Sequence, residues 1–374
     1  MAIYFSLAFI IFLFSIYDIS IERNAISSNK IVGWSIYYQI VFILIALGGL
    51  RWLTGTDWMP YHNYFNDNRT WKEYTSQGFE PLFAFLNFIV HQFSTSYTVY
   101  LFVFSLLVIS IKAFTIKKIA LYPALSFFLF FCTNIGDILS VRQGLAGSIL
   151  FASIYFIHKK DKKHFLILLM LAILIHYSSL LWIFSYYIYH KKIGRVYIGF
   201  LIVISICIGF IGNVLYPVII SAVFSPFNYL NPISKILSYS LKVDESTFSY
   251  LRAVISIIKR LLFIPLFLIM KRQIDNTDKY MPGILNLYFF GNIIYLFFTL
   301  SATSFQRMTT PYVFTEILIL PVFLKIIRSK ALKYIFLYVI LIYGFFKLYS
   351  AIQPFTDVIV PYYTIFNYES REMY

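Results

Sequence analysis

Ionisable side chains set into apolar sequence are the first candidates for chemistry in this 374-residue chain. Arg142 stands in Val141-Arg142-Gln143-Gly144, His176 interrupts an apolar run at Ile175-His176-Tyr177-Ser178-Ser179, and Arg307 follows Ser301 to Gln306 at the end of another. An ionisable group at mid-bilayer costs about 2.5–3.5 kcal/mol on insertion scales, so it is usually paired, wetted or functional. Guanidinium groups bind phosphate bidentately. Outward-facing Arg142 and Arg307, with Arg51 and Arg252 as weaker members, would therefore fit a pyrophosphate if they converge. Snorkelling accounts equally well for an arginine near a span end. Gln143, Gly144 and Gly147 favour a bundle-facing Arg142 by permitting close backbone approach. His176 is a candidate base, a phosphate donor, or a hydrogen-bonded residue of the bundle.

A second group lies in Arg51-Trp52-Leu53-Thr54-Gly55-Thr56-Asp57-Trp58-Met59-Pro60-Tyr61. Gly55 allows a tight turn. Asp57 is a carboxylate at the membrane edge that could take a proton from a sugar hydroxyl, or simply be solvated. Trp52, Trp58, Tyr61, Tyr64 and Trp71 can stack on sugar rings, although an interfacial aromatic belt is the simpler reading. Glu80-Pro81 reads as the start of a short helix. His-Glu-x-x-His, Cys-x-x-Cys, phosphate-loop and Gly-x-Ser-x-Gly patterns do not occur, so zinc protease, nucleotide hydrolase and serine hydrolase readings lack support. Cys132 and Cys207 sit in apolar runs as packing residues, and neither a metal site nor a cofactor is expected.

The elements that must position these groups are membrane spans. The chain is 60% hydrophobic, 21% aromatic and 13% charged, about half the charged share of a soluble domain. Its net charge of +15 sits in short blocks between apolar runs. That is the positive-inside pattern rather than a nucleic-acid face. Runs of about 17–25 apolar residues predict spans near 2–18, 33–50, 96–112, 119–135, 138–158, 196–223, 250–270, 281–300, 310–327 and 333–351. The segment 81–93 is too short to cross and reads as re-entrant or interfacial. The expectation is an all-α, polytopic membrane bundle of about 10–12 transmembrane helices, one integral domain over residues 1–374. The first helix reads as retained rather than as a cleaved signal.

Lys and Arg cluster in loops 19–31, 112–118, 158–164, 190–195, 271–279 and 325–333, which assigns these to the cytoplasm. The polar loops 51–79 and 224–249, with Arg142, Arg307 and the C-terminus, then face outward. Residues 164–190 are flanked by basic blocks on both sides, so both ends favour the cytoplasm. Two arms of about 12 residues reach about 18 Å each, short of the roughly 30 Å core. A broken helical hairpin with its tip at His176–Ser179 fits this. A single tilted span is the alternative.

Taken together, Arg51 to Asp57 with Tyr61, Glu80-Pro81 with the short apolar segment, Val141 to Ala146, the basic loop with Ile175 to Ser179, and Gln306-Arg307 with Tyr312 resemble the EpsG/Wzy-like group of bacterial polysaccharide (O-antigen) polymerases. Order and spacing agree over most of the chain. The resemblance implies a multi-helical fold similar to GT-C glycosyltransferases in a bacterial inner membrane. It implies polymerisation of undecaprenyl-pyrophosphate-linked repeat units at the periplasmic face, with membrane lipid and a chain-length regulator protein as candidate partners. On that basis Asp57 is the expected base with His176 second, and Arg51, Tyr61, Arg142, Gln143 and Arg307 are the expected substrate contacts. A lipid-linked oligosaccharide flippase and a membrane acyltransferase are the alternatives. The gathering of ionisable residues on the outer half argues against a through-membrane path.

Overall fold

The structure is a computed structural model, and it describes residues 1–21, 27–224, 250–299 and 306–367. Most of the second polar loop, the Arg252 side chain and Ser301 to Phe305 lie outside the described residues. The architecture is an all-α helical bundle with one pair of two-residue strands among the described residues. The chain forms two compact units, Met1–Ser179 with Leu320–Tyr374, and Leu180–Ile319.

The first unit begins with α1 (Ala2–Ile21) and α2 (Ser27–Gly49), followed by β1 (Arg51–Trp52). The first polar loop is structured rather than open. It contains α3 (Trp58–Asp67) and α4 (Trp71–Ser76). Thr70 and Glu73 form a capping box at the start of α4, each side chain accepting from the other's backbone N–H, which satisfies two otherwise unpaired donors. α5 (Pro81–Phe93) carries Pro81 in its first turn with Glu80 as N-cap. There the missing N–H costs nothing. At 13 residues it spans about 20 Å, too little to cross. Then come α6 (Tyr97–Ile119), α7 (Pro123–Thr133), α8 (Ile135–Ile138), α9 (Arg142–His158) and α10 (Lys162–Ile175). α2 packs on α6, α6 on α9, α9 on α10 and α10 on α5, while α1 and the helix Lys330–Ile352 both pack on α7.

Past Ile352 the chain returns to the first loop. β2 (Tyr363–Thr364) pairs antiparallel with β1, Arg51 opposite Thr364 and Trp52 opposite Tyr363. Gly55 N–H donates to the Val358 carbonyl at 2.8 Å, and the Tyr362 hydroxyl donates to the Leu47 carbonyl at 2.7 Å. Gly55 has φ +110°, the left-handed conformation the turn needs and that glycine adopts without steric cost. The C-terminal segment and the 51–79 loop therefore share one face of this unit.

In the second unit α11 (Ser185–His190) and α12 (Arg195–Phe224) pack on the helix Met281–Phe297. Asn286 ties that helix down, donating to the carbonyls of Lys191 at 2.6 Å and Ile188 at 3.2 Å.

Among the described residues, three helices are long and apolar enough to cross a membrane: Ile31–Gly49, Tyr97–Ile119 and Lys330–Ile359. Several expected spans are interrupted instead. The run 250–270 divides into Tyr250–Leu261 and Ile264–Ile269 at Pro265. The run 310–327 becomes four short helical pieces, with prolines at 311 and 321. Proline lacks a donor and clashes with the preceding turn, so it ends or breaks helices that apolar composition alone would continue. The expected hairpin region does break at its proposed tip. α10 ends at Ile175, His176 is extended (φ −155°, ψ 113°), and a 3₁₀ segment follows over Tyr177–Phe184.

One boundary needs correction. The span expected at 96–112 continues to Ile119, so Lys112 is not a cytoplasmic loop residue. It lies buried inside α6 and pairs with Asp137 of α8 at 2.6 Å, the two side chains 1% and 15% exposed.

Candidate functional site

The site grows from a break and two helix starts in the first unit. Arg142 is the first residue of the 17-residue α9, where unpaired backbone N–H groups and the helix dipole favour an anion. The turn before α9 is tight. The Ser140 hydroxyl accepts from Gly144 N–H at 2.9 Å. A Cβ on Gly144 would stand 2.6 Å from the Asp137 carbonyl oxygen, so only glycine allows this approach. Gly147, read from sequence as a second small-residue contact, has nothing within 4 Å of such a Cβ.

Arg142 Nη1 donates to Glu80 Oε2 at 2.9 Å, and the guanidinium lies over the Phe79 ring, 5.0 Å from its centroid. The other carboxylate oxygen, Glu80 Oε1, accepts from Tyr177 N–H at 3.1 Å and faces His176 Nδ1 at 3.4 Å. The Glu80 side chain is 4% exposed, against 22% for Arg142 and 23% for His176. One buried carboxylate thus joins the N-terminus of α9 to the break after α10, and both partners keep an open edge. Burial works to push the Glu80 carboxyl up, but the His176, Arg142 and Tyr177 contacts outweigh it and hold the group down at about 2. Glu80 is therefore a carboxylate across the physiological range.

Tyr61 is buried with its ring against Phe79 and Phe83. Burial pushes its phenol up to about 12, with the Arg142 charge acting the other way, so it stays a donor. Asp57 is exposed at the N-terminus of α3 and makes no side-chain cap bond there. Its charge nevertheless acts on Arg142, Tyr61 and Arg51. Gln143 is half-buried in the first turn of α9.

Arg51 does not have the open placement expected of a phosphate contact. It is 2% exposed, and its Nη1 donates to the Ile138 carbonyl at 3.4 Å. Burial lowers its affinity for the proton, with Tyr97 and Tyr362 among the groups opposing that. Behind the site, it braces the turn that leads to Arg142. Arg307 is exposed and belongs to the second unit. Beside it in sequence, the Gln306 amide donates to the Thr299 carbonyl at 3.0 Å. The Tyr312 hydroxyl donates to the Leu181 carbonyl at 2.7 Å.

The aromatic residues of the first loop pack largely on one another. Trp58 is buried, stacked on His62 at 4.7 Å and edge-on to Trp52 at 5.0 Å. Trp71 is 44% exposed and remains open to solvent or lipid headgroups.

Sequence reasoning overlooks Glu80 as a member of the site, and it also overlooks the buried Lys112–Asp137 ion pair. Glu80 looked like a helix start. Yet an acid bordering a 13-residue apolar segment at the membrane edge needs a partner, and that signal was available. Asp137 carried no such signal, because its partner had been assigned to a loop.

These features define a polytopic, all-helical membrane protein with an ion-paired carboxylate, guanidinium and imidazole cluster at one face of its larger unit. The chain belongs to the EpsG family, whose model matches residues 34–370, a family associated with polysaccharide-polymerase-like glycosyl transfer. Comparison with curated proteins and with solved structures finds no match.

Proposed function

We propose that this chain is a polysaccharide polymerase of the bacterial inner membrane. It transfers an undecaprenyl-pyrophosphate-linked glycan onto an incoming lipid-linked repeat unit at the periplasmic face. The observation that carries the reading is the shared carboxylate. Glu80 brings the Arg142 guanidinium and the His176 ring together from segments far apart in sequence, and the transfer needs just such a pair. A hydroxyl of the incoming unit attacks the anomeric carbon of the growing chain. The bond from that carbon to the pyrophosphate oxygen breaks, and the hydroxyl proton goes to a base. Arg142, at the start of α9, takes up the charge that develops on the leaving pyrophosphate. His176 is favoured over Asp57 as the base because it adjoins Arg142 through Glu80, whereas Asp57 stands exposed in the loop. Tyr61 interacts with Arg142 and Gln143 follows it in the first turn of α9, so both are assigned to the substrate's surroundings. The assignment of Arg307 to the pyrophosphate rests on the sequence pattern.

The test is elongation in proteoliposomes supplied with lipid-linked repeat units. The wild-type chain should produce a ladder of products. Arg142→Ala should leave single repeats at equal protein level. A wild-type chain that moves lipid-linked units across the bilayer without joining them would replace this reading with a flippase. Transfer of an acyl group instead would replace it with an acyltransferase.

A further inference from the structure

Glu80 is 3% exposed, so it does not meet a substrate itself. Its carboxylate oxygens are divided between two partners, Oε2 with Arg142 Nη1 at 2.9 Å and Oε1 with His176 Nδ1 at 3.4 Å and Tyr177 N–H at 3.1 Å. An ionised carboxylate only accepts hydrogen bonds. The Nδ1 that faces it is therefore the donor, so in the neutral ring the lone pair lies on Nε2. The Tyr177 N–H bond ties the backbone at the break to the same carboxylate oxygen that faces the ring. Pro81 sets the first turn of α5 directly behind, giving Glu80 a rigid base.

We infer that Glu80 is the positioning residue of this site, selecting the His176 tautomer whose Nε2 accepts the proton and holding Arg142 in register with it. The inference rests on the polymerase reading for its chemistry but not for its geometry. Among the described residues, the charged and titratable groups linked to the His176 ring are Glu80 from the start of α5, Arg142 from α9, through Glu80, and Tyr177 from the segment after α10. Asp57 and Tyr61 from the first loop act on Arg142. Among these, only Glu80 is both buried and within hydrogen-bond reach of the ring. The logic is that of a carboxylate that orients a catalytic imidazole without itself taking the proton.

Two measurements on the full-length protein in lipid test this. The first is nitrogen-15 spectroscopy of histidine-labelled protein, with the His176 signals found by their loss in His176→Gln. Wild type should show one neutral tautomer, protonated at Nδ1, and Glu80→Gln should show a mixture. The second is kinetics in the proteoliposome assay. Glu80→Gln should lower kcat by about 10²-fold or more while KM for the lipid-linked unit moves by less than about threefold. A merely structural role would reduce the amount of active protein without altering the tautomer. Wild-type protein protonated at Nε2, or Glu80→Gln with wild-type kcat, would overturn the inference. If wild type elongates nothing, the polymerase reading fails. The tautomer spectrum still decides whether Glu80 governs His176.

Discussion

Replacing Arg142 by alanine should destabilise the first unit as well as stop the chemistry, and the two effects can be separated. The substitution leaves Glu80, a side chain 4% exposed, without its cation. Removing one member of a buried pair typically costs about 3–5 kcal/mol, because the other charge stays desolvated. The structure gives an independent measure of the same order. Holding the Glu80 carboxyl at about 2 instead of 4.5 corresponds to about 3 kcal/mol at neutral pH, shared among Arg142, His176 and Tyr177. Arg142 is one of those contacts, so Arg142→Ala should lose about 1–3 kcal/mol, at or below the buried-pair range, read as a lowered unfolding midpoint in detergent or nanodiscs. Adding Glu80→Gln removes the stranded charge. The double variant should recover most of that loss while elongation stays absent.

The pH dependence has a definite sign. A depressed carboxyl contributes stability that is fully present above its unfolded value and is lost as pH falls through the folded one. The gap between wild type and Arg142→Ala should accordingly hold above pH 4.5 and close toward pH 2. If Arg142→Ala and the double variant unfold at the same midpoint, the paired-carboxylate argument is wrong.

Three further outcomes are expected. His176→Ala should cut elongation by about 10²–10⁴-fold, whereas Asp57→Asn should change it by less than about tenfold; the reverse order would restore Asp57 as the base. Asp137→Ala should cost about 3–5 kcal/mol by removing the carboxylate paired with Lys112, which is 1% exposed. Asp137→Leu with Lys112→Met should be close to wild type in the same unfolding assay. Gly144→Ala should cost about 1–3 kcal/mol because its Cβ would press on the Asp137 carbonyl, with a fall in kcat as Arg142 shifts; a wild-type midpoint and rate would show the turn to be pliable.

By itself the sequence determined the class of this protein. Apolar runs such as those in α2, α6 and Lys330–Ile352 read as membrane-length helices, since composition and length are local properties. It also marked Arg142 and His176, because a lone ionisable group stands out against an apolar background. It favoured a break after Ile175, because both flanks are basic and the arms are short, and the structure decided between that break and a single tilted span. The prolines at 265, 311 and 321 that divide the runs 250–270 and 310–327 also stand in the sequence, although counting apolar residues alone does not see their lost backbone donor. Other matters were decided only by the tertiary structure. Arg51 proved to be sealed behind the site, and Lys112 to lie inside a span rather than in a loop. Above all, Glu80 lies 62 residues from Arg142 and 96 from His176. Whether a carboxylate is solvated or neutralised by distant partners depends on which helices pack together. That packing is a property of the whole bundle, and no stretch of sequence holds it.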